Sequence, residues 1–488
     1  MSSKTTMIAK ESRAQARVAL LIWLGMATVA VGPTLARQQR MNVVFLLADD
    51  LGVMDVGAYN PRTFYATPNI DALAKSGMRF TTGYAACPVC SPTRASILTG
   101  KYPVRTGITD YVGAPQPWPR NTKLLPAPYR TNLALEEVTL AERLRDAGYA
   151  TFMSGKWHLG DDESTPNAQG FAGLKRRGNV QFYYPESVTQ FDDVNDPKTT
   201  DVIADETVKF IAANKNKPFF AYVPFQAVHT PIRARPDLVD RWTTKAASAP
   251  PDRWGKEYLR DVRLVQNHAA YAAMLEQMDT AVGRILAALE QHGIAGNTVV
   301  VFTSDNGGLS TSEGHPTSNE PWRAGKGWPY EGGVRVPVII RAPGMTKAGS
   351  VSDAPVMSTD YYRTLLDLLG LPAAPEQHRD SVSLRPLLAG GRIEARPLFW
   401  HYPHYGNQGG APMSAVRDGQ WKLVEWLEDG TLELFDLAND PVERTNLAAR
   451  EPARVERLHA MLKVWRAETG ARLPTKNPAF NPQAKEAR

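Results

Sequence analysis

Val43-Val44-Phe45-Leu46-Leu47, followed by Ala48 and at once by Asp49-Asp50, is the stretch that decides how this chain folds. The five leading residues are apolar without a break, the composition of a strand covered on both faces. Phe219-Phe220-Ala221-Tyr222-Val223 and Asn297-Thr298-Val299-Val300-Val301-Phe302 read the same way. Helical patterns lie between these runs. One spans Leu140 to Ala147. A longer one runs from His268 to Gln291, where Tyr271, Met274, Leu275, Met278, Val282, Ile285 and Leu286 recur every three or four positions. Strands alternating with helices predict an α/β sandwich with a largely parallel central sheet.

Near residue 390 the pattern changes. Leu388-Ala389-Gly390-Gly391 reads as a turn or linker, and short strands follow at Pro397–Trp400, Ser414–Arg417, Trp421–Trp426 and Leu432–Asp436. Asp418-Gly419 and Asp429-Gly430 supply hairpin turns between them. A closing helix over Pro452 to Thr469 completes a smaller antiparallel α+β subdomain. The expected organisation is therefore a leader over 1–36, a large unit over 37–390 and a small one over 391–488.

The leader follows from Lys4, Lys10, Arg13 and Arg17, which precede an apolar run from Val18 to Val31, with Thr34-Leu35-Ala36 as a cleavage site. That pattern reads as a secretory signal peptide, and the run is shorter than the roughly 20 residues a membrane span needs. An uncleaved anchor is the alternative. No later stretch is long and apolar enough to span a bilayer, so the expected location is periplasmic or secreted, without stable membrane insertion after cleavage. The leader carries a net +3 of the chain's +6, which leaves a mild positive excess suited to an anionic substrate. The basic residues are scattered, with Lys175-Arg176-Arg177 the only notable cluster, and nothing points to nucleic acid. Two cysteines in 488 residues exclude a disulfide scaffold.

Ligands of open α/β sheets bind beyond the carboxyl ends of the strands. Four polar clusters fall at such positions: Asp49-Asp50, Gly155-Lys156-Trp157-His158 after Ala150–Met153, His229, and Ser304-Asp305-Asn306-Gly307-Gly308. Asp49, Asp50, Asp305 and Asn306 are oxygen donors, the set a hard cation such as Ca²⁺ or Mg²⁺ takes. An exposed turn or helix cap is the plain alternative for the Asp-Asp pair. Lys156, His158, His229, Lys326 and Arg94 suit a tetrahedral oxyanion whose charge fixed donors stabilise. Taken singly, each is an ordinary surface lysine or structural histidine; His268, His292, His378 and His459 are read as structural.

Cys90-Ser91-Pro92-Thr93-Arg94, continuing Ala95-Ser96-Ile97-Leu98-Thr99-Gly100, places a thiol at a helix N-terminus. Pro92 fits the first turn, and the dipole together with Arg94 favours anions. Cys87 and Cys90 form a Cys-x-x-Cys pair, open on spacing alone to a redox motif, a short-loop disulfide or half a metal site.

The run Cys-x-Pro-x-Arg with its following Thr-Gly resembles the activation sequence of the type I sulfatases. Gly148 to His158 resembles that family's second signature. Similar stretches are Ala48 to Gly52, Thr67 to Asp71, Ser304 to Gly307, Gly325-Lys326-Gly327 through Glu331 to Pro337, Arg417 to Leu423, and Asn439-Asp440-Pro441. They run in the family's order from about residue 41 to about 450. The resemblance implies an alkaline-phosphatase-like α/β/α sandwich and a sulfuric ester hydrolase of the arylsulfatase-like type. It implies that a formylglycine-generating maturation enzyme oxidises Cys90 to 3-oxoalanine (formylglycine), and that the hydrated aldehyde is the nucleophile. Asp49, Asp50, Asp305, Asn306 and modified Cys90 would hold Ca²⁺, with Mg²⁺ the other option. Arg94 and Lys156 would stabilise the formylglycine and sulfate charge. His158 would orient a hydroxyl of the hydrate or help eliminate sulfate, and His229 and Lys326 would contact the transferred sulfate and leaving oxygen. His401 and His404, in Trp400-His401-Tyr402-Pro403-His404-Tyr405, either reach the substrate or belong to an aromatic packing strand. Loops over 108–135, 160–200 and 309–324 are expected to shape the pocket.

Three functions compete. The first is hydrolysis of a sulfate ester, on a sulfated saccharide or an aryl sulfate. The second is a phosphodiester or phosphonate monoester hydrolase of the same superfamily. The third is a non-catalytic exported Ca²⁺-dependent binding protein, which the intact nucleophile motif disfavours.

Overall fold

The computed structural model describes residues 40–484, except 116–119, 178–180, 190–192 and 194. The expected leader over 1–36 lies outside the described residues. Seven strands form the central sheet: β1 (Asn42–Ala48), β2 (Met78–Phe80), β3 (Ala150–Met153), β4 (Phe219–Pro224), β5 (Thr298–Ser304), β6 (Val338–Arg341) and β7 (Ser350–Ser352). Their spatial order is β7-β2-β6-β5-β1-β4-β3. The four strands from β5 to β3 are parallel neighbours, and β6 runs antiparallel between β5 and β2.

Period-two geometry sends alternate residues of one strand to opposite faces. Val44, Leu46 and Ala48 therefore enter one core with Phe219, Ala221, Val223, Val300 and Phe302. There they meet α1 (Pro68–Ser76), α4 (Thr199–Asn214) and α5 (Ala269–Gln291), which bury Ile70, Ile203 and Met278 among others. Val43, Phe45 and Leu47 enter the other core with Phe220, Tyr222, Val299 and Val301. That face is covered by α2 (Cys90–Thr99), α3 (Leu140–Asp146) and α6 (Asp360–Leu368). The unbroken apolar composition of β1 is thus the consequence of helices on both sides.

The C-terminal sheet is an antiparallel meander of β8 (Leu398–Tyr402), β9 (Met413–Asp418), β10 (Trp421–Trp426) and β11 (Leu432–Asp436). Gly419 and Gly430 take left-handed backbone at its turns, φ 60° and 76°. Helix α7 (Pro452–Thr469) packs on it through Leu458, Leu462 and Trp465. Tyr84, Trp328 and Tyr330 of the larger part join the same apolar cluster. Lys422 on β10 is wholly buried between Glu331 (3.0 Å) and Glu443 (2.8 Å). The Glu331–Val334 turn that follows Lys326 is thereby fixed against this sheet. No described helix is long and apolar enough to cross a membrane.

Candidate active site

The ends of β1, β3, β4 and β5 deliver Asp49-Asp50, Lys156, His229 and Asp305-Asn306 to one place. Gly155 lets the chain turn after β3: its φ is 128°, and a Cβ there would stand 2.0 Å from the Pro224 carbonyl oxygen. The turn after β5 needs Gly307, where a Cβ would lie 1.9 Å from the Gly332 oxygen. Asp50 and His158 hold left-handed backbone, φ 61° and 57°, an uncommon conformation for residues with a side chain.

Cys90 opens α2, all ten residues of which are buried. Thr93 folds its hydroxyl back to the Cys87 carbonyl at 3.1 Å, fixing the turn into the helix. Arg94, four residues on, shares the helix face of Cys90. Its Nη2 lies 2.7 Å from Asp305 Oδ2 and 3.6 Å from Asp49 Oδ1, and its Nη1 donates to the Lys156 carbonyl at 2.9 Å. Lys156 Nζ is 2.6 Å from Asp49 Oδ2. Lys326 Nζ is 2.8 Å from Asp50 Oδ2, and the N–H of the next residue, Gly327, donates to Pro88 at 2.9 Å. That last bond ties the Lys326 loop to the cysteine loop. Both cysteines are free and buried, so the disulfide alternative for Cys87 and Cys90 is not what the chain adopts.

Ligand atoms of Asp49, Cys90 and Asp305 lie within 4.8 Å of one another, as do those of Asp49, Asp50 and His229. Asp49 Oδ1 and Asn306 Oδ1 are buried and accept no hydrogen bond. Buried acceptors without donors are costly, and a coordinated cation resolves both. The donor set therefore fits a hard divalent ion. Burial alone would raise the Asp49 carboxyl, but Lys156, His229 and Arg94 reverse this and hold it well below the usual carboxylate range. Burial beside the Asp49 charge pushes Asp305 up to about 7. Burial pushes the Cys90 thiol up to about 11 against the opposing pull of Lys156, so at neutral pH the encoded side chain is a thiol, not a thiolate.

These groups open on a cavity of about 500 Å³ lined by Cys90, Asp49, Lys156, His158, His229 and Lys326. His158 Nε2 faces the Val112 carbonyl at 2.9 Å. A carbonyl only accepts, so Nε2 carries the hydrogen and Nδ1 the lone pair; Nδ1 is buried and has no partner. Burial, then Lys156 and Arg94, holds His158 well below the ordinary histidine range, so it is neutral. His229 Nε2 is 3.7 Å from Asp50 Oδ2, and burial together with Lys326 lowers it too.

Each of the three loops expected to shape the pocket contributes to its wall: Tyr111 to Gly113, Gln181 with Phe182 and Asn195, and Glu313. His401 and His404 require a correction, because neither lines the cavity. His401 contacts Ser414 Oγ at 2.7 Å and the Arg472 carbonyl at 2.8 Å, and His404 Nε2 contacts Thr109 Oγ1 at 2.9 Å. Burial lowers these imidazoles to about 4 and about 3, as expected of neutral packing groups. The chain after β8 does reach the cavity, through Asn407 and Gln408. Glu313, Asn407 and Gln408 were not anticipated, since they lie in loops without periodicity. Of the histidines read as structural, His268 caps α5 by accepting the Tyr271 N–H, and His378 accepts the Ala374 N–H.

The family described as "Sulfatase" matches residues 41–371, and that described as "N-sulphoglucosamine sulphohydrolase, C-terminal" matches 322–468. A "Sulfatase" of Formosa agariphila is 31% identical over 89% of this chain and 90% of its own length. An N-acetylgalactosamine-6-sulfatase of Sus scrofa is 32% identical over 81% of this chain and 74% of its own. Among solved structures, Ps i-CgsB in complex with k-i-k-neocarrahexaose superposes with a TM-score of 0.70 at 27% identity, covering 88% of this chain and 93% of the other.

Proposed function

Because this chain belongs to the sulfatase family and is a sulfuric ester hydrolase, we propose that it desulfates saccharides through an aldehyde hydrate formed from Cys90. The observation that carries this reading is the convergence of Arg94, Lys156, His158, His229 and Lys326 on the cavity region that holds Cys90. The substrate class is supported by the likeness to an N-acetylgalactosamine-6-sulfatase and to Ps i-CgsB, which was solved with k-i-k-neocarrahexaose bound.

Asp49, Asp50, Asp305, Asn306 and the modified Cys90 would hold Ca²⁺, with Mg²⁺ the alternative, and Asn306 Oδ1 and Asp49 Oδ1 are the buried acceptors of this set that receive no hydrogen bond. When bound, the ion supplies Lewis-acid stabilisation of the hydrate oxygen. The three carboxylates Asp49, Asp50 and Asp305 are balanced by Arg94, Lys156 and Lys326. A divalent ion therefore leaves the site with a net positive charge, which suits a sulfate ester.

One hydroxyl of the hydrate gives its proton to the Asp305 carboxylate, whose oxygen lies within 4.8 Å of the Cys90 sulfur position. The freed oxygen attacks sulfur, and the bond from sulfur to the alcohol oxygen breaks. Lys326 stabilises the charge on the sulfuryl oxygens, and His229, when protonated, gives its proton to the leaving oxygen. The second hydroxyl then passes its proton to the unpartnered Nδ1 of His158. The carbonyl re-forms, the carbon–oxygen bond to sulfate breaks, and water restores the hydrate. A thiol or serine lacks that second hydroxyl and could accept sulfate without releasing it. Export to the periplasm or beyond, with prior action of a formylglycine-generating enzyme, completes the proposal.

The test compares 4-nitrophenyl sulfate, 4-nitrophenyl phosphate and a phenyl phosphonate on metal-replete protein, followed by a panel of defined saccharide sulfates. Preference for sulfate esters is expected. Preference for the phosphorus esters would move the protein to the second function, and turnover of none to the third.

A further inference from the structure

Glu313 is the one acidic side chain besides Asp49 among the described residues lining the cavity. Its Oε1 accepts from Asn407 Nδ2 at 2.7 Å and from Gln408 Nε2 at 2.9 Å, and its Oε2 accepts from Thr230 Oγ1 at 2.9 Å. All three donors line the same cavity. The Glu313 backbone is left-handed, φ 52°, which a glutamate adopts only where its surroundings hold it. Burial would raise this carboxyl, but Lys326 and His229 pull it below its ordinary value, so the group is ionised.

An ionised carboxylate offers about four lone-pair sites and no hydrogen to donate. Three of those sites are taken, which leaves capacity on Oε2. Asn407 and Gln408 each donate an amide N–H to Oε1, so both amides hold the carboxylate in place. This part of the wall is therefore built to accept hydrogens, a few residues from lysines and histidines arranged for an anion. A sulfate or a uronate carboxylate carries acceptors only and repels Glu313; a hydroxyl, an amide N–H or an ammonium does not.

We infer that Glu313, clamped by Thr230, Asn407 and Gln408, is a specificity-determining residue that takes a hydrogen-bond donor on the sugar and rejects a second anionic substituent at that position. The inference rests on the sulfatase reading and narrows it. The substrate carries a free hydroxyl or nitrogen substituent beside the sulfate that is removed, rather than two adjacent sulfates.

The experiment begins with the monosaccharide monosulfate that the wild-type protein cleaves fastest. Disulfates follow, with an extra sulfate placed in turn on each hydroxyl flanking the first. Wild-type kcat/KM is expected to fall at least about tenfold for one of these positions, a discrimination equivalent to about 1.4 kcal/mol. Glu313→Gln, which keeps the shape and removes the charge, is expected to restore most of that loss. A residue that merely held the loops would lower both rates together and leave their ratio unchanged. Equal wild-type rates on mono- and disulfates at every position would overturn the inference without any variant. So would discrimination that persists undiminished in Glu313→Gln. If that variant does not fold, Glu313→Asp, which draws the charge back by one methylene, must shift the same ratio. A wild-type protein, metal-replete and converted at Cys90, that cleaves no sulfate ester would instead overturn the underlying reading.

Discussion

Lys326 Nζ stands 2.8 Å from Asp50 Oδ2 although 276 residues separate the two in the chain. The contact joins the carboxyl end of β1 to a loop that is itself bonded to Pro88 and, through Glu331, to the buried Lys422. A lysine fixed by that many independent contacts can stabilise charge without first reorganising.

Replacing Lys326 by alanine is therefore expected to lower kcat by roughly 10²–10³, the usual loss for one such donor. Steady-state kinetics on an aryl sulfate checks this, and an unchanged rate would remove Lys326 from the chemistry.

Burial and Lys326 lower the His229 imidazole, so its protonated form is populated only on the acid side of about 6.5. A general acid acts in that form, and kcat/KM for saccharide sulfates should fall as pH rises through a value below 6.5. With 4-nitrophenyl sulfate, whose leaving oxygen needs less help, the same limb should be shallow. His229→Asn should abolish the limb; its persistence there would assign the proton to another group.

The proposed divalent ion, held at Asn306 Oδ1 and Asp49 Oδ1, both buried without hydrogen-bond donors, is expected to stabilise the fold. At a hundredfold excess over its dissociation constant an ion adds about 2.7 kcal/mol. Unfolding followed in EDTA and in Ca²⁺ or Mg²⁺ should show a higher midpoint with the ion, and Asn306→Ala should shrink the difference. Superimposable curves would contradict the metal assignment.

Lys422 is wholly buried between Glu331 and Glu443. Lys422→Met leaves Glu443 without its cation and Glu331 with Arg335 at 3.0 Å, and breaking a buried pair in this way costs about 3–5 kcal/mol. Urea unfolding measures it, and a loss below about 1 kcal/mol would mean that water reaches the glutamates.

The parts of the molecule governed by periodicity were legible in the sequence. The unbroken Val43–Leu47 run required helices on both faces, and the α5 pattern from Tyr271 to Leu286 marked the face that is buried. The strand ends were legible as well, because a parallel sheet collects them at one edge. Asp49, Lys156, His229 and Asp305 are neighbours for that topological reason. The remainder was decided by loops. His401 and His404 stand in a conspicuous aromatic motif, but β8 and the turn after it set them into packing against Ser414, Arg472 and Thr109. Three residues after His404, the chain reaches the cavity through Asn407, a residue without any pattern around it. Glu313 was hidden in the same way, since only Thr230, Asn407 and Gln408, remote in sequence, give it a role.

Cys90 and Cys87 are both buried, but only Cys90 lines the cavity. Cys90→Ala should abolish turnover and Cys87→Ala should retain most of it. The most direct measurement is the mass of the peptide spanning residues 80–105, taken from an active preparation made in a host that carries the maturation enzyme. The account predicts that the thiol carbon of Cys90 has become an aldehyde, so that the peptide has lost its sulfur at that position and gained an oxygen. A fully active protein whose Cys90 is still the encoded cysteine would contradict it.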